Sequence, residues 1–324
     1  MEYVSLGNTG TKVSRICLGC MSFGNSSEWM IELEESRAVF SRAVDLGINF
    51  FDTANVYSRG RSEEILGNLL KGQREQAVIA TKVHGRMWDN DPNGEGLSRK
   101  HIMHQIDASL KRLQTDRIDL YQIHRWDYTT PIEETLRALG DIVRAGKAVY
   151  VGASSMWSWQ FAKSLYLSDR IAVPRFVSMQ NQYNLCYREE EREMIPLCKE
   201  EKVALIPWSP LARGFLSGRY RREDRSPDSP RYRGDKLLME RFFRKEDFDV
   251  LEATEQVAKE KGVSPSQIAL AWIFHKKDIT APIIGATKVK HVEEAVDALQ
   301  IKLTSDEMKR LEEPYKLREP TGFK

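Results

Sequence analysis

The sequence predicts a closed (β/α)8 barrel, on three observations. Eight short apolar runs alternate with stretches of helical spacing along its 324 residues. Several of these runs are too continuously apolar to leave one face wet, so their strands lie parallel and buried on both sides. The unusual polar residues fall at the exits of these runs, as in a barrel whose site is built from loops at the C-terminal ends of its strands. Residues 1–324 are read as a single barrel domain, a length that fold accommodates. An open doubly wound sheet is the alternative, but one that binds a dinucleotide should show Gly-x-Gly-x-x-Gly after its first strand, and none stands there.

Composition narrows the class further. With 41% hydrophobic and 30% charged residues the chain can bury a large core, and its net charge of +2 gives no global pull toward nucleic acid or anionic lipid. A small-molecule partner is expected. Met1-Glu2-Tyr3 opens into patterned sequence without a leader, and no apolar run approaches the ~18 residues of a membrane span, so a cytosolic protein is expected. Cys17 and Cys20 have the spacing of a redox or zinc half-site, but Cys186 and Cys198 form no second close pair. They read as a strand cysteine and a loop cysteine, with no metal.

Taken in order, Val4-Ser5-Leu6 and Lys12-Val13-Ser14 flank a Gly7–Gly10 turn and predict a hairpin ahead of the main pattern. Ile16–Leu18 is the first strand, followed by a Gly-rich loop and a helix over Glu34–Leu46 that stops at Gly47. The unit then repeats. Strand Asn49–Phe51 precedes helix Ser62–Leu70, Val78–Thr81 precedes Arg99–Leu113, and Ile118–Ile123 precedes Ile132–Ala145. Ala148–Ala153 leads to Ser158–Leu167, and Phe176–Met179 to Glu189–Glu201. Ala204–Ile206 runs into a long polar excursion carrying Ser226-Pro227-Asp228-Ser229-Pro230, then helices Phe248–Lys261 and Pro265–His275. Ala281–Ile284 is the last strand, with helices Val289–Leu299 and Ser305–Tyr315 after it. Gly19 to Ser26 has the look of a phosphate-binding P-loop, but Asn25 stands where the lysine must be, so it reads as a plain loop.

The unusual polar residues all fall at strand exits: Asp52, Lys82, His124, Ser154, Ser155, Gln180, Trp208, Ser209 and Gly285. Tyr57 stands one short loop beyond Asp52. A phenol with an ordinary pKa near 10 is a poor acid at neutral pH, and a neighbouring ammonium such as Lys82 favours its ionised form. Asp52 is a suitable counter-ion for a buried lysine. His124 can donate a hydrogen bond to a substrate oxygen and orient a carbonyl toward the phenol. A proton donor aimed at an oxygen suits carbonyl reduction, and since no side chain delivers hydride a nicotinamide is implied. Taken singly, the residues have plainer roles as cap, solvated cation, packed ring and backbone partner; their joint placement argues for a site.

Phe51-Asp52-Thr53-Ala54-Asn55-Val56-Tyr57 followed by Ser62-Glu63-Glu64-Ile65-Leu66-Gly67 resembles the aldo-keto reductase signature. The resemblance runs from Leu6-Gly7 through Leu18–Gly24 to Ile284-Gly285-Ala286-Thr287, nearly the whole chain. It implies a (β/α)8 TIM barrel, closed at its bottom by the N-terminal hairpin and bearing extra C-terminal helices, with NADPH rather than NADH extended across the top. Tyr57 then corresponds to the general acid, Lys82 and Asp52 to its tuning pair, and His124 to the residue that orients the carbonyl. Gly19 and Met21 join Asp52 on the cofactor side. Ser154, Ser155 and Gln180 match the carboxamide contacts, although Ser155 replaces a usual asparagine. Trp208 matches the ring that stacks on the nicotinamide, and Ser209, Pro210, Leu211 and Gly214 the segment that wraps the pyrophosphate. Gly285, Thr287, Lys288, His291 and Glu294 match the adenosine side, where a helix start favours an anion; Ala295 and His291 depart from the residues common there.

Trp29, Trp88 and Trp126 lie in loops after strands and are read as an aromatic mouth favouring a flat carbonyl compound. Arg125 either attracts an anionic substrate group or pairs with Asp127, and the pairing is the plainer reading. Two rivals stand beside the reductase: an NADPH-binding regulatory module like the β-subunits of potassium channels, and a barrel hydrolase or aldolase in which Lys82 forms a Schiff base.

Overall fold

A computed structural model describes residues 1–223 and 230–321. The chain opens on strands β1 (Tyr3–Ser5) and β2 (Lys12–Ser14), paired antiparallel with Val4 opposite Val13. Gly7 turns the chain at φ +58, and a Cβ there would lie 2.6 Å from the Val177 carbonyl oxygen, so conformation and space both require glycine. Eight parallel strands follow: β3 (Cys17–Gly19), β4 (Phe50–Asp52), β5 (Val78–Val83), β6 (Ile118–Ile123), β7 (Ala148–Ser154), β8 (Phe176–Gln180), β9 (Ala204–Leu205) and β10 (Ile283–Gly285). They pair in the order β10-β3-β4-β5-β6-β7-β8-β9. The two ends of that series also meet. Ile283 N–H donates to the Pro207 carbonyl at 2.8 Å, Thr280 N–H to the Leu205 carbonyl at 2.8 Å, and Trp208 bridges Ile283.

The helices that clothe this sheet are α1 (Leu33–Asp45), α2 (Arg61–Leu69), α3 (Arg99–Leu113), α4 (Ile132–Arg144), α5 (Ser158–Arg170), α6 (Met194–Glu200), α7 (Pro230–Gly234), α8 (Lys236–Arg241), α9 (Lys245–Lys261), α10 (Pro265–His275), α11 (Val289–Asp297) and α12 (Ser305–Glu312). Most lie within a turn of their expected limits. The expected helix Glu189–Glu201 instead starts as a 3-10 turn over Glu189–Glu191, because Glu189 and Glu190 are buried as acceptors for Tyr315, Arg318 and Asn181. The last strand begins at Ile283, after Pro282, which has no N–H for the ladder. The polar excursion carries α7 and α8, which the sequence pattern did not reveal. Of its turn-rich run, Ser226 to Ser229 lie outside the described residues. Beyond α11 the chain adds α12, tied to α10 by Trp272 Nε1 donating to Glu312 Oε1 at 2.8 Å.

Inside the strands the side chains form layers. Cys17, Phe50, Val78, Ala80, Leu120, Ala204 and Ile206 make an apolar floor, and Leu6 and Val13 of the hairpin region pack beneath it. The hairpin therefore seals the end where the strands begin. Above the floor the inward positions turn polar, with Asp52, Lys82, Gln122, Ser154 and Gln180 all buried. Gly152 makes room for this layer, since a Cβ there would collide with Ser178 Oγ and stand 3.0 Å from Cγ of Gln122. The ring is closed above as well, where Ser22 Oγ donates to the Ala286 carbonyl at 2.9 Å and ties the first loop to the last.

Candidate active site

Lys82 ends up inside the barrel because it holds an inward position near the end of β5, with no exposed surface. Its Nζ donates to Asp52 Oδ1 at 2.6 Å, to the Thr53 carbonyl at 2.7 Å and to the Tyr57 hydroxyl at 3.3 Å. Burial alone would strip the proton from such an amine, but Asp52 and then the Tyr57 oxygen outweigh it and raise its pKa above the ordinary value. The group is an ammonium. Asp52 also accepts from Gln122 Nε2 at 3.1 Å and Gln180 Nε2 at 2.9 Å, so three donors hold one buried carboxylate.

Tyr57 begins a 3-10 turn over Tyr57–Gly60, and its ring meets the His124 imidazole edge-on with centroids 5.7 Å apart. Burial first, then the charges of Lys82 and Arg125, push the His124 pKa well below its usual value. The imidazole is therefore neutral, with one N–H to donate. Asp52, Lys82, Tyr57 and His124, expected as one constellation, lie together at the strand exits.

A second group adjoins it at the ends of β7, β8 and β9. Ser155 has a left-handed backbone at φ +50, and its N–H donates to Asn181 Oδ1 at 2.8 Å. Asn181 Nδ2 donates in turn to Glu190 Oε2 at 2.6 Å. Burial raises the Glu190 carboxyl to about 8, opposed by that bond and reinforced by Glu189. Trp208 Nε1 donates to Ser155 Oγ at 3.2 Å, and Ser154 Oγ donates to the Gln180 carbonyl at 2.7 Å. Gln180 spends its own amide hydrogens on Asp52 and Gln122, so it faces down into the barrel and braces the carboxylate.

The model of the aldo/keto reductase family matches residues 15–316. The chain is 42% identical to versiconal hemiacetal acetate reductase of Aspergillus parasiticus, over 97% of each chain. It is 40% identical to a candidate aryl-alcohol dehydrogenase of Saccharomyces cerevisiae, over 98% of this chain and 97% of that one. An aldo-keto reductase of Alternaria alternata is 39% identical over 99% and 93%. The chain belongs to the aldo/keto reductase family. It is accordingly an NAD(P)H-dependent oxidoreductase acting on small carbonyl compounds.

On the top of this aldo/keto reductase barrel, no atom of the described residues, the adjoining ones in the chain aside, lies within 4 Å of where a Cβ would stand at Gly214 or Gly285. Gly19 is the register partner of Asp52 on β3, and Met21 lies in the 3-10 turn that follows it, over Cys20–Ser22. Ser209, at φ +55, has its carbonyl held by Asn184 Nδ2 at 2.9 Å, and Pro210 and Leu211 follow it into a turn over Ala212–Ser217. Lys288 caps α11 and is exposed, Thr287 N–H donates to His291 Nδ1 at 3.3 Å, and Glu294 pairs with Lys290 at 3.5 Å. Burial lowers the His291 pKa, and Arg219 adds the next largest effect, which places a further cation on this side.

The three tryptophans have separate surroundings. Arg231 lies 3.8 Å over the Trp29 ring, Trp88 meets His104 edge-on at 4.4 Å, and Trp126 is 6.1 Å from Trp159. No ring contact among the described residues joins two of the three. The pairing of Arg125 with Asp127 does not form. Asp127 instead accepts from Leu97 N–H and Thr130 Oγ1 on one oxygen and from Thr129 N–H and Oγ1 on the other, each at 2.7 to 2.8 Å. Sequence reasoning also missed Gln122, Asn181, Glu190 and Arg241. A signal existed for Gln122, which shares the inward alternation of Leu120 on β6. For the others none did, because their roles depend on loop contacts.

Proposed function

We propose that this protein reduces an aromatic aldehyde or ketone to the alcohol with NADPH, Tyr57 acting as general acid. The observation that carries the reading is the ammonium of Lys82, 3.3 Å from the Tyr57 oxygen and anchored by Asp52. A nicotinamide cofactor, when bound, would supply hydride to the carbonyl carbon. The phenol gives its proton to the carbonyl oxygen as negative charge builds there, and the ammonium stabilises the phenolate left behind. Neutral His124 donates a hydrogen bond to the same oxygen and sets the angle of the carbonyl. Ser154 and Ser155 would hold the carboxamide, Trp208 would hold the ring, and Ser209 to Gly214 would hold the pyrophosphate. Lys288, assisted by Arg219, favours the phosphate that distinguishes NADPH from NADH.

Aromatic substrates are favoured because one of the relatives above is named for aryl-alcohol, and because Trp29, Trp88 and Trp126 lie in loops that follow strands. The Schiff-base alternative requires a neutral lysine, whereas Lys82 is held as a cation. A screen of aldehydes and ketones with NADPH and with NADH, following consumption of the reduced cofactor, tests the reading. Tyr57→Phe is expected to lower the rate at least ~10²-fold, the scale of a lost general acid. An unchanged rate would remove Tyr57 from this role.

A further inference from the structure

Each hydrogen of the Lys82 ammonium has an acceptor. Its three N–H groups meet Asp52 Oδ1 at 2.6 Å, the Thr53 carbonyl at 2.7 Å and the Tyr57 hydroxyl at 3.3 Å. The longest of the three is the one that the proposed chemistry uses, and it is the first to go if the ammonium finds a better acceptor. The second oxygen of Asp52 is that competitor, since an ionised carboxylate accepts at both oxygens. Two amides keep it occupied. Gln122 Nε2 donates to Asp52 Oδ2 at 3.1 Å and Gln180 Nε2 at 2.9 Å, and Gln180 Nε2 also donates to Gln122 Oε1 at 3.2 Å. That last bond settles which way round the Gln122 amide stands. Reversed, it would set its oxygen against the carboxylate and its nitrogen against a second donor.

The place of Gln122 follows from register. Lys82 on β5 and Gly152 on β7 are its partners on either side, and the side chain has no exposed surface. Two residues earlier on β6, Leu120 belongs to the apolar floor. An apolar side chain at 122 could continue that packing, whereas a primary amide shut away from water costs free energy unless its hydrogen bonds are made. The amide therefore serves Asp52 rather than the core.

We propose that Gln122 is a positioning residue for the reduction: by holding Asp52 Oδ2 it keeps an N–H of Lys82 aimed at Tyr57. Its effect then falls on proton transfer and not on the binding of cofactor or substrate. This rests on the reductase reading above. Without the Gln122 donor, Gln180 alone holds Oδ2. The carboxylate then turns both oxygens toward the ammonium, and the N–H that supports the developing phenolate is drawn away from it.

The test takes Gln122→Met, which keeps the length of the side chain and removes its donor, alone and in two backgrounds of the full-length protein. Alone, with benzaldehyde and NADPH, it is expected to lower kcat about tenfold, the scale of one hydrogen bond to a charged group, while KM and the NADPH Kd change less than about twofold. In Tyr57→Phe, where no phenol needs the ammonium, adding Gln122→Met should cost less than about twofold in kcat. A tenfold loss in both backgrounds would overturn the proposal, because a merely structural role is felt with or without the phenol. A loss of NADPH affinity with kcat intact would overturn it as well. The second background, Asp52→Asn, is read by thermal unfolding and needs no turnover. Gln122→Met should lower Tm there by less than about half of what it does in the parent, and additive shifts would overturn the contact with Asp52. If the Tm shifts are coupled but no carbonyl compound is turned over, the brace on Asp52 stands and the reductase reading falls.

Discussion

Removing Lys82 and Asp52 separately and together separates what their pairing does for stability from what it does for chemistry. Both side chains are buried, with Nζ and Oδ1 2.6 Å apart. Replacing one of them leaves an uncompensated charge in the barrel, so Lys82→Met or Asp52→Asn alone should cost about 3–5 kcal/mol. An unfolding entropy of about 2.1 cal/mol/K per residue makes that roughly 4–7 °C in Tm for a chain of this length. In the double variant no buried charge remains, and Gln122, Gln180 and the introduced amide can share neutral hydrogen bonds. Its Tm should recover to within about 2 °C of the parent. Activity should not follow. Without the ammonium the phenolate is unsupported, and carbonyl reduction should stay at least ~10²-fold down in all three variants. Thermal unfolding at pH 7 and NADPH-dependent turnover are the assays. The raised Lys82 pKa means that the pair's stabilisation is complete below the lysine's unfolded value and is lost only as pH rises through the higher folded one. A double variant no more stable than the weaker single would refute the pairing, and one with parental activity would refute the role given to the cation.

Three further outcomes are expected. Glu190 has its carboxyl raised to about 8, so the native chain holds a proton that the unfolded chain releases near 4.3. Stability from this group is complete below the unfolded value and falls as pH rises through about 8, and Glu190→Gln should flatten that slope of Tm against pH; identical slopes would exclude it. Lys288→Ala should weaken NADPH binding about tenfold with little change for NADH, measured as two dissociation constants, and equal losses would place the lysine elsewhere. Gly152→Val, whose Cβ would collide with Ser178 Oγ and stand 3.0 Å from Gln122 and 3.2 Å from Leu120, should lower stability by about 1–3 kcal/mol in urea titrations and slow turnover by shifting Gln122 from Asp52.

The barrel was legible because its two periodicities are local. Apolar runs and helical stretches alternate whatever the loops do, and a polar residue at the end of such a run has to sit where the strand leaves the core. That reasoning located Asp52, Lys82 and His124 without contact information. It failed where a side chain's partner is remote in sequence. Gln180 stands at a strand exit, yet its amide turns inward to Asp52, 128 residues away. Arg125 and Asp127 are two residues apart, and proximity suggested a pair. The threonines that follow Asp127 and the Leu97 amide fill its oxygens first. Glu190 and Asn181 carried no signal, because their effect on Ser155 exists only once the loops after β7 and β8 are packed.

The backbone itself marks the same face of the barrel. Eleven non-glycine residues among those described have positive φ. Four of them, Gln114, Ala172, Lys202 and Phe243, follow the ends of α3, α5, α6 and α8, where a left-handed residue commonly terminates a helix. The other seven, Ser58, Arg59, Asn90, Ser155, Ser209, Ala212 and Arg213, lie in segments that leave the C-terminal ends of strands. At about 1 kcal/mol or more each, such conformations persist only where the surroundings over-determine them. Side chains supply that constraint here. Asn181 holds the Ser155 amide, Asn184 the Ser209 carbonyl and Asp235 the Arg213 guanidinium, while Phe243 is set among Phe215, Tyr220, Tyr232 and Phe248. The amides and acids in these loops are therefore structural partners of the strained residues. A barrel whose two faces were equivalent in function would have no reason to gather its strain on one of them.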